Sequence, residues 1–261
     1  MSLSWLDRLT LFIHPQRVVL ERQPWRGAAT RQSADVAQPA SGEADWQPVL
    51  TAAEALLKAE GRRGAALRIV VADHFVRYAL LPWSENISGN KARLAMARAL
   101  LKNTLGDKAE TLEIALDRPV FGKNGLAAGI DRQLLAGLRA AAKAQRLRLT
   151  TLQPRLIAEL AARHRQLVDG WFVCLDREWL TLAGLRGGEI ASLRNHRAST
   201  GDPALLAGEL AGLLAAESTA PPGAVAGKKL YIASRQVAVP TLAGGWETTN
   251  WPAAIGGDAY A

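Results

Sequence analysis

The 261-residue sequence predicts an α/β protein with mixed sheets, laid out as two halves that repeat one plan. Two observations predict it. Short apolar runs bounded by Gly, Pro or polar turns alternate with longer stretches of helical period. Their order is hairpin strands, helix, strand, an inserted α/β piece, then hairpin strands, helix and strand again. The duplication is one of pattern, not of residues.

Leu9 to Ile13 and Arg17 to Arg22 read as a hairpin around His14-Pro15-Gln16. Residues 27–45 are small and polar and read as a surface loop, or at most an edge strand. Trp46 to Glu60 is helical, with Val49, Ala53, Leu56 and Leu57 on one face and glycines at 61 and 64 to end it. Leu67 to Val71 is a near-continuous apolar strand of the kind covered on both faces. Asp73-His74 turns the chain, and Phe75 to Leu81 returns as a strand closed by Pro82. The helix Lys91 to Leu105 carries the stripe Leu94, Ala97, Leu101 and Leu105. Thr111 to Leu116 and Leu126 to Ile130 are strands joined by a turn at Gly122 to Gly125. Asp131 caps a helix to about Gln145, with Leu134, Leu138 and Ala141 inward. Leu147 to Leu152 is a strand, and Pro154 begins a helix to about Arg165.

The second half opens with three antiparallel strands, Trp171 to Leu175, Leu180 to Arg186 and Glu189 to Arg194. A helix from Pro203 to Glu217, a loop over 218–227 and a buried-looking strand from Lys229 to Ala233 follow. The Gly-, Pro- and Trp-rich remainder has no clear element pattern. The domain boundaries this gives are 1–153 for a first lobe, with an inserted α/β subdomain at about 73–130, and 154–261 for a second.

An apolar fraction of 49% with 21% charged residues is that of a folded, water-soluble chain, and no apolar stretch reaches the roughly 18–20 residues of a membrane span. The N-terminus breaks at His14-Pro15 and does not read as a signal peptide. Cys174, the only cysteine, sits in an apolar run and reads as a buried thiol in a cytoplasmic protein. The net charge of +8 is spread without a block of like charges. Arg132, Arg139, Lys143 and Arg146 nevertheless share one helix face, a surface for an acidic partner or anionic headgroups. Trp246 and Trp251, in the unassigned tail, are candidate partner anchors.

No metal is expected: His14, His74, His164 and His196 lie far apart in sequence, and none is at ligand spacing from another His or from Cys174. There is no Gly-x-Ser-x-Gly elbow and no phosphate loop of the Gly-x-x-x-x-Gly-Lys type. Asp73 beside His74 reads as a turn residue, because neighbours on a strand face opposite ways.

Three stretches carry a family resemblance: LRIVVADHFVRYALLPW (67–83), GIDRQLLAGLRAAAKAQRLRLTTLQP (129–154) and WFVCLDREWLTLAGLRGGEIASLRNHR (171–197). With the order of elements, they resemble the PilM family of type IV pilus assembly and its type II secretion counterpart, the GspL cytoplasmic domain. The resemblance implies a two-lobed, actin-like (ribonuclease H-like) fold. Active members of that fold carry Asp-x-Gly at the first hairpin of each lobe, glycine admitting phosphate and Asp holding metal and water. Here the first turn is His14-Pro15-Gln16, with no carboxylate and one amide removed by proline. The second keeps Asp176 but continues Arg177-Glu178. After the late strand comes Ser234-Arg235-Gln236, and Gly244-Gly245 follows only about ten residues later. The nucleotide loops are therefore read as degraded.

The resemblance implies a non-catalytic cytoplasmic scaffold or adaptor, peripheral to the inner membrane, with no cofactor. Its implied partner is the cytoplasmic segment of a single-span inner-membrane protein, with an assembly ATPase nearby. That span belongs either to a separate chain or to a continuation beyond residue 261. Two alternatives stand beside it. One is an active ATPase, with Asp176 on magnesium and Gly244-Gly245 at adenine. The other is a basic protein that binds nucleic acid or another anionic surface through the Arg132–Arg146 face.

Overall fold

A computed structural model of the chain describes residues 7–38, 45–87, 89–199, 201–218, 227–234, 242 and 244–251. In chain order the elements begin β1 (Arg8–His14), β2 (Arg17–Gln23), β3 (Thr30–Asp35), α1 (Gln47–Glu60), β4 (Ala66–Val71) and β5 (Val76–Leu81). They continue with α2 (Asn90–Leu105), β6 (Leu112–Leu116), β7 (Gly125–Asp131), α3 (Arg132–Ala144), β8 (Arg148–Pro154) and α4 (Arg155–Arg163). The last are β9 (Gly170–Asp176), β10 (Trp179–Arg186), β11 (Glu189–His196), α5 (Pro203–Ser218), β12 (Lys229–Ala233) and β13 (Glu247–Trp251).

By its contacts the chain divides into two compact units. One holds the described residues up to Val76 with Ile130–Ala158; the other holds Arg77–Gly129 and the described residues from Glu159 to Trp251. The sequence pattern places residues 73–130 within the first lobe. In the contact division Arg77–Gly129 goes with the second unit, where Lys123 bonds Glu189 at 2.7 Å and the Arg77 guanidinium lies over the Trp179 ring.

In the first unit one sheet runs β3-β2-β1-β4-β8. The first three strands form an antiparallel meander, and β1, β4 and β8 are parallel. β4 is central and its Ile69, Val70 and Val71 are fully buried, as a continuous apolar run requires. The face Val49, Ala53, Leu56 and Leu57 of α1 is buried as the periodicity predicts. α1 lies so close to α3 that a Cβ on Gly137 would meet Leu50 Cδ2 at 2.3 Å. The Asp131 carboxylate caps α3 by accepting from the amides of Gln133 and Leu134.

The second unit repeats the plan in the order β11-β10-β9-β12-β13, an antiparallel meander followed by two parallel strands. Leu206, Leu210 and Leu214 of α5 bury against Val173, Leu180 and Ile232 of this sheet. Cys174 is buried in β9. A small sheet, β5-β7-β6, carries α2 against Leu81 and Ala127.

The polar segment after residue 27 contains β3, the edge strand that the sequence allowed, held by six register pairs with β2. Three details differ from the sequence expectation. The unassigned tail contains β13, which extends the second sheet beside β12. The turn after α2 is a 3-10 helix, Gly106–Thr111, so β6 starts one residue later than expected. On α2 the buried positions are Arg93, Ala97 and Leu101, whereas Leu94 and Leu105 are only half-buried. Among the described residues no helix is long and apolar enough to cross a membrane.

Candidate functional site

The first hairpin closes through Pro15 and Gln16, between the register partners His14 and Arg17. His14 ends β1 with 3% exposure, and its Nδ1 accepts the Gln16 amide at 3.2 Å. Of the two turn residues one has no N–H and the other donates its N–H to an imidazole. Because β1 and β4 are parallel neighbours, the turn that follows β4 lies at the same sheet end as His14. The His14 and His74 rings meet edge to face, with centroids 5.1 Å apart. Sequence spacing had kept these histidines apart; parallel pairing joins them across 60 positions. Asp73 is a turn residue as expected, buried within a 3-10 turn, and its carboxylate accepts the Leu156 amide at 3.2 Å, capping α4.

The second hairpin closes through Arg177 and Glu178, between the partners Asp176 and Trp179. Asp176 is buried and its Oδ1 accepts the Arg177 amide at 2.9 Å, which makes it a member of the turn's hydrogen-bonding. Glu178 takes a left-handed φ of 54°, and its carboxylate accepts from Arg197 at 2.7 Å. After β12, Ser234 is buried, while Arg235 and Gln236 lie outside the described residues. Gly244 and Gly245 form the turn into β13, where Lys228 Nζ donates to the Gly244 carbonyl.

The basic face of α3 is exposed at Arg132, Arg139 and Lys143, and Arg146 beyond the helix end is exposed as well. The two tail tryptophans are engaged internally. Trp246 packs against the apolar core of the second unit. Trp251, in β13, stacks on Tyr231 with centroids 4.7 Å apart, under the Arg163 guanidinium.

A different feature stands out in the small sheet. A cavity of about 470 Å³ opens between the segment after β5, the start of α2 and the β6–β7 turn. Trp83, Ile87, Met96, Val120 and Phe121 supply apolar walls. Phe121 is 85% exposed and meets Trp83 edge to face, with centroids 5.1 Å apart. Arg93 forms part of the lining, donating to the Asp117 carbonyl at 3.0 Å and to its carboxylate at 2.5 Å. The other carboxylate oxygen of Asp117 accepts the Leu126 amide. Asn124 Oδ1 accepts the Trp83 amide, tying the segment after β5 to the β6–β7 turn. Arg93 and Lys123 of the lining are each bound to a carboxylate, and most of the other lining side chains are apolar, which suits the groove to apolar side chains. Helix and strand periodicity do not mark it; its signal in the sequence is Val120-Phe121 directly before Gly122, a large apolar pair in a turn.

No family model and no curated protein matches the chain. Solved structures do. The cytoplasmic domain of EpsL, an inner membrane component of the type II secretion system of Vibrio cholerae, aligns with a TM-score of 0.60 at 12% identity, over 95% of this chain and 90% of that one. The PilM-PilN type IV pilus biogenesis complex aligns at 0.57 and 16% identity, over 88% and 81%. A Bacteroides thetaiotaomicron protein with an actin-like ATPase fold aligns at 0.58 and 9% identity, over 89% and 83%. The chain has the actin-like fold that the sequence resemblance implied.

Proposed function

We propose that this chain is a non-catalytic scaffold or adaptor of a type IV pilus or type II secretion-like assembly, on the cytoplasmic side of the inner membrane. It takes no nucleotide, and it holds the cytoplasmic segment of a single-span inner-membrane protein. The observation that carries the loss of nucleotide chemistry is the first hairpin. A phosphate cradle needs turn amides aimed at the ligand. Here Pro15 has none and the Gln16 amide is bound by His14. Likeness in fold to an inner-membrane secretion component and to a pilus biogenesis complex supports the setting. The groove at Trp83 and Phe121 supports a seat for apolar side chains of the partner segment.

Thermal unfolding with and without millimolar ATP and magnesium tests the first part. A ligand at a hundred times its Kd stabilises by about 2.7 kcal/mol, so an unchanged midpoint is the expected result. A saturable rise that disappears in Asp176→Asn establishes the ATPase reading instead. For the second part, Phe121→Asp is expected to abolish retention of a single-span protein from solubilised membranes. Retention equal to that of the unaltered chain removes the groove from the interface.

A further inference from the structure

We infer that the end of the first sheet opposite His14 and His74 is a docking surface for an anionic bilayer, read through lipid headgroup phosphates. Parallel pairing builds it. Arg8 of β1 is level with Ala66 of β4, and Ala66 with Arg148 of β8, so the strand starts lie at one end of the sheet. α1 and α3 both finish at this end, bringing Lys58 and Lys143. The loops that follow add Arg62, Arg63 and Arg146, and the Gly64 amide bonds the Arg146 carbonyl at 2.9 Å, which ties the two loops together. β2 ends opposite Arg8 and leads into Trp25 and Arg26. These side chains come from four short stretches, at 8, 25–26, 58–63 and 143–148, so no single charge block announces them.

Helix C-termini favour basic residues in any protein. That accounts for Lys58 and Lys143, but not for Arg8, Arg26, Arg63 or Arg148, all exposed. Asp7 and Glu60 also lie at this end and are already engaged, Asp7 with Arg62 and the Trp25 amide, Glu60 with Arg22 and Gln32. Trp25 is 43% exposed. The Arg26 guanidinium covers one face of its ring at 4.2 Å, which removes that face as a stacking platform for a base. An amphipathic ring among arginines suits the headgroup layer, where Trp concentrates and each nearby basic residue strengthens binding about fivefold. The surface is independent of the groove and of the partner-segment reading. Vesicle binding reports on it without any partner protein.

The test is co-sedimentation of the full chain with phosphatidylcholine vesicles, with and without phosphatidylglycerol. Binding is expected only with phosphatidylglycerol, weakening as salt rises. Arg63→Glu/Arg146→Glu/Arg148→Glu is expected to lower it at least a hundredfold. Lys91→Glu/Arg98→Glu/Arg118→Glu, with the same change in net charge on another surface, is expected to keep most of it. Trp25→Ala, which leaves every charge in place and guards against a misfolded triple variant, is expected to lower it severalfold. Equal losses in the two triple variants, or no binding to phosphatidylglycerol vesicles, overturn the inference. So does a patch that binds duplex DNA in preference to vesicles, which makes the surface a nucleic-acid site.

Discussion

Replacing Gly125 by alanine isolates the one buried charge at the groove. A Cβ there would stand 2.6 Å from Arg93 Nη2 and 3.2 Å from Asp117 Oδ1, against a comfortable separation of about 3.5 Å or more. Arg93 is 6% exposed, so its guanidinium has to leave both bonds to Asp117 rather than slide along them. Hydrogen bonds to charged groups contribute about 1.5–3 kcal/mol. The Asp117 side chain is 39% exposed and rehydrates, so the loss is discounted to about 2–3 kcal/mol. Gly125 has an ordinary backbone conformation, and alanine returns about 0.4–1 kcal/mol through the unfolded chain. The net expectation is a destabilisation of about 1–2.6 kcal/mol, or roughly 2–10 °C in Tm. A double-mutant cycle with Arg93→Met decides the cause. In that background no guanidinium is displaced, so Gly125→Ala should be neutral or slightly stabilising in denaturant titrations. The same loss in both backgrounds refutes the reasoning.

Glu159 is fully buried and pairs with Arg163 one helical turn on, so Glu159→Ala should cost about 3–5 kcal/mol in urea unfolding. Glu159→Leu/Arg163→Met should recover most of that. Asp131→Ala removes the acceptor of two first-turn amides of α3 and should cost about 1 kcal/mol, with Asp131→Asn close to the original. The Ser199 amide, and then its hydroxyl, hold the Glu209 carboxyl below the usual carboxylate range, with His196 adding a smaller pull in the same direction. A depressed folded value means that this contribution is present above the unfolded pKa of about 4.3 and fades as pH falls through the folded one. Ser199→Ala should move the Glu209 midpoint upward in a carbon-13 NMR titration, and an unmoved midpoint contradicts the assignment.

What the sequence made legible is what hydrophobic period encodes. β4, β9 and β10 are apolar runs with buried side chains, and α1 buries the four residues its spacing singles out. β13 escaped, and β3 stood only as the alternative to a loop, because ETTNW and TRQSAD have no apolar alternation; they are strands by virtue of the neighbour each pairs with. Arg93 escaped for a related reason. A guanidinium reads as a solvated flank until its carboxylate, 24 positions away, is known. The basic sheet end was half seen. Lys143 and Arg146 were on the predicted stripe, while Arg8, Arg63 and Arg148 join them only through strand register. Long-range pairing is the information that one sequence withholds.

The two hairpins show why fold and chemistry can part. His14 faces Arg17 and Asp176 faces Trp179, so each hairpin closes through two residues and the strands beyond keep an unbroken register. The sheet asks of the turn only that it reverse the chain. Pro15-Gln16 does so, and so does Arg177-Glu178 with Glu178 in a left-handed conformation that glycine would adopt more easily. A phosphate asks for more: amides directed at the ligand and no side chain in the way. The first turn gives its remaining amide to His14, and in the second Asp176 accepts the Arg177 amide. Turn residues can therefore change at no cost to either sheet, and under the scaffold role proposed above the sheets are what the fold has to keep.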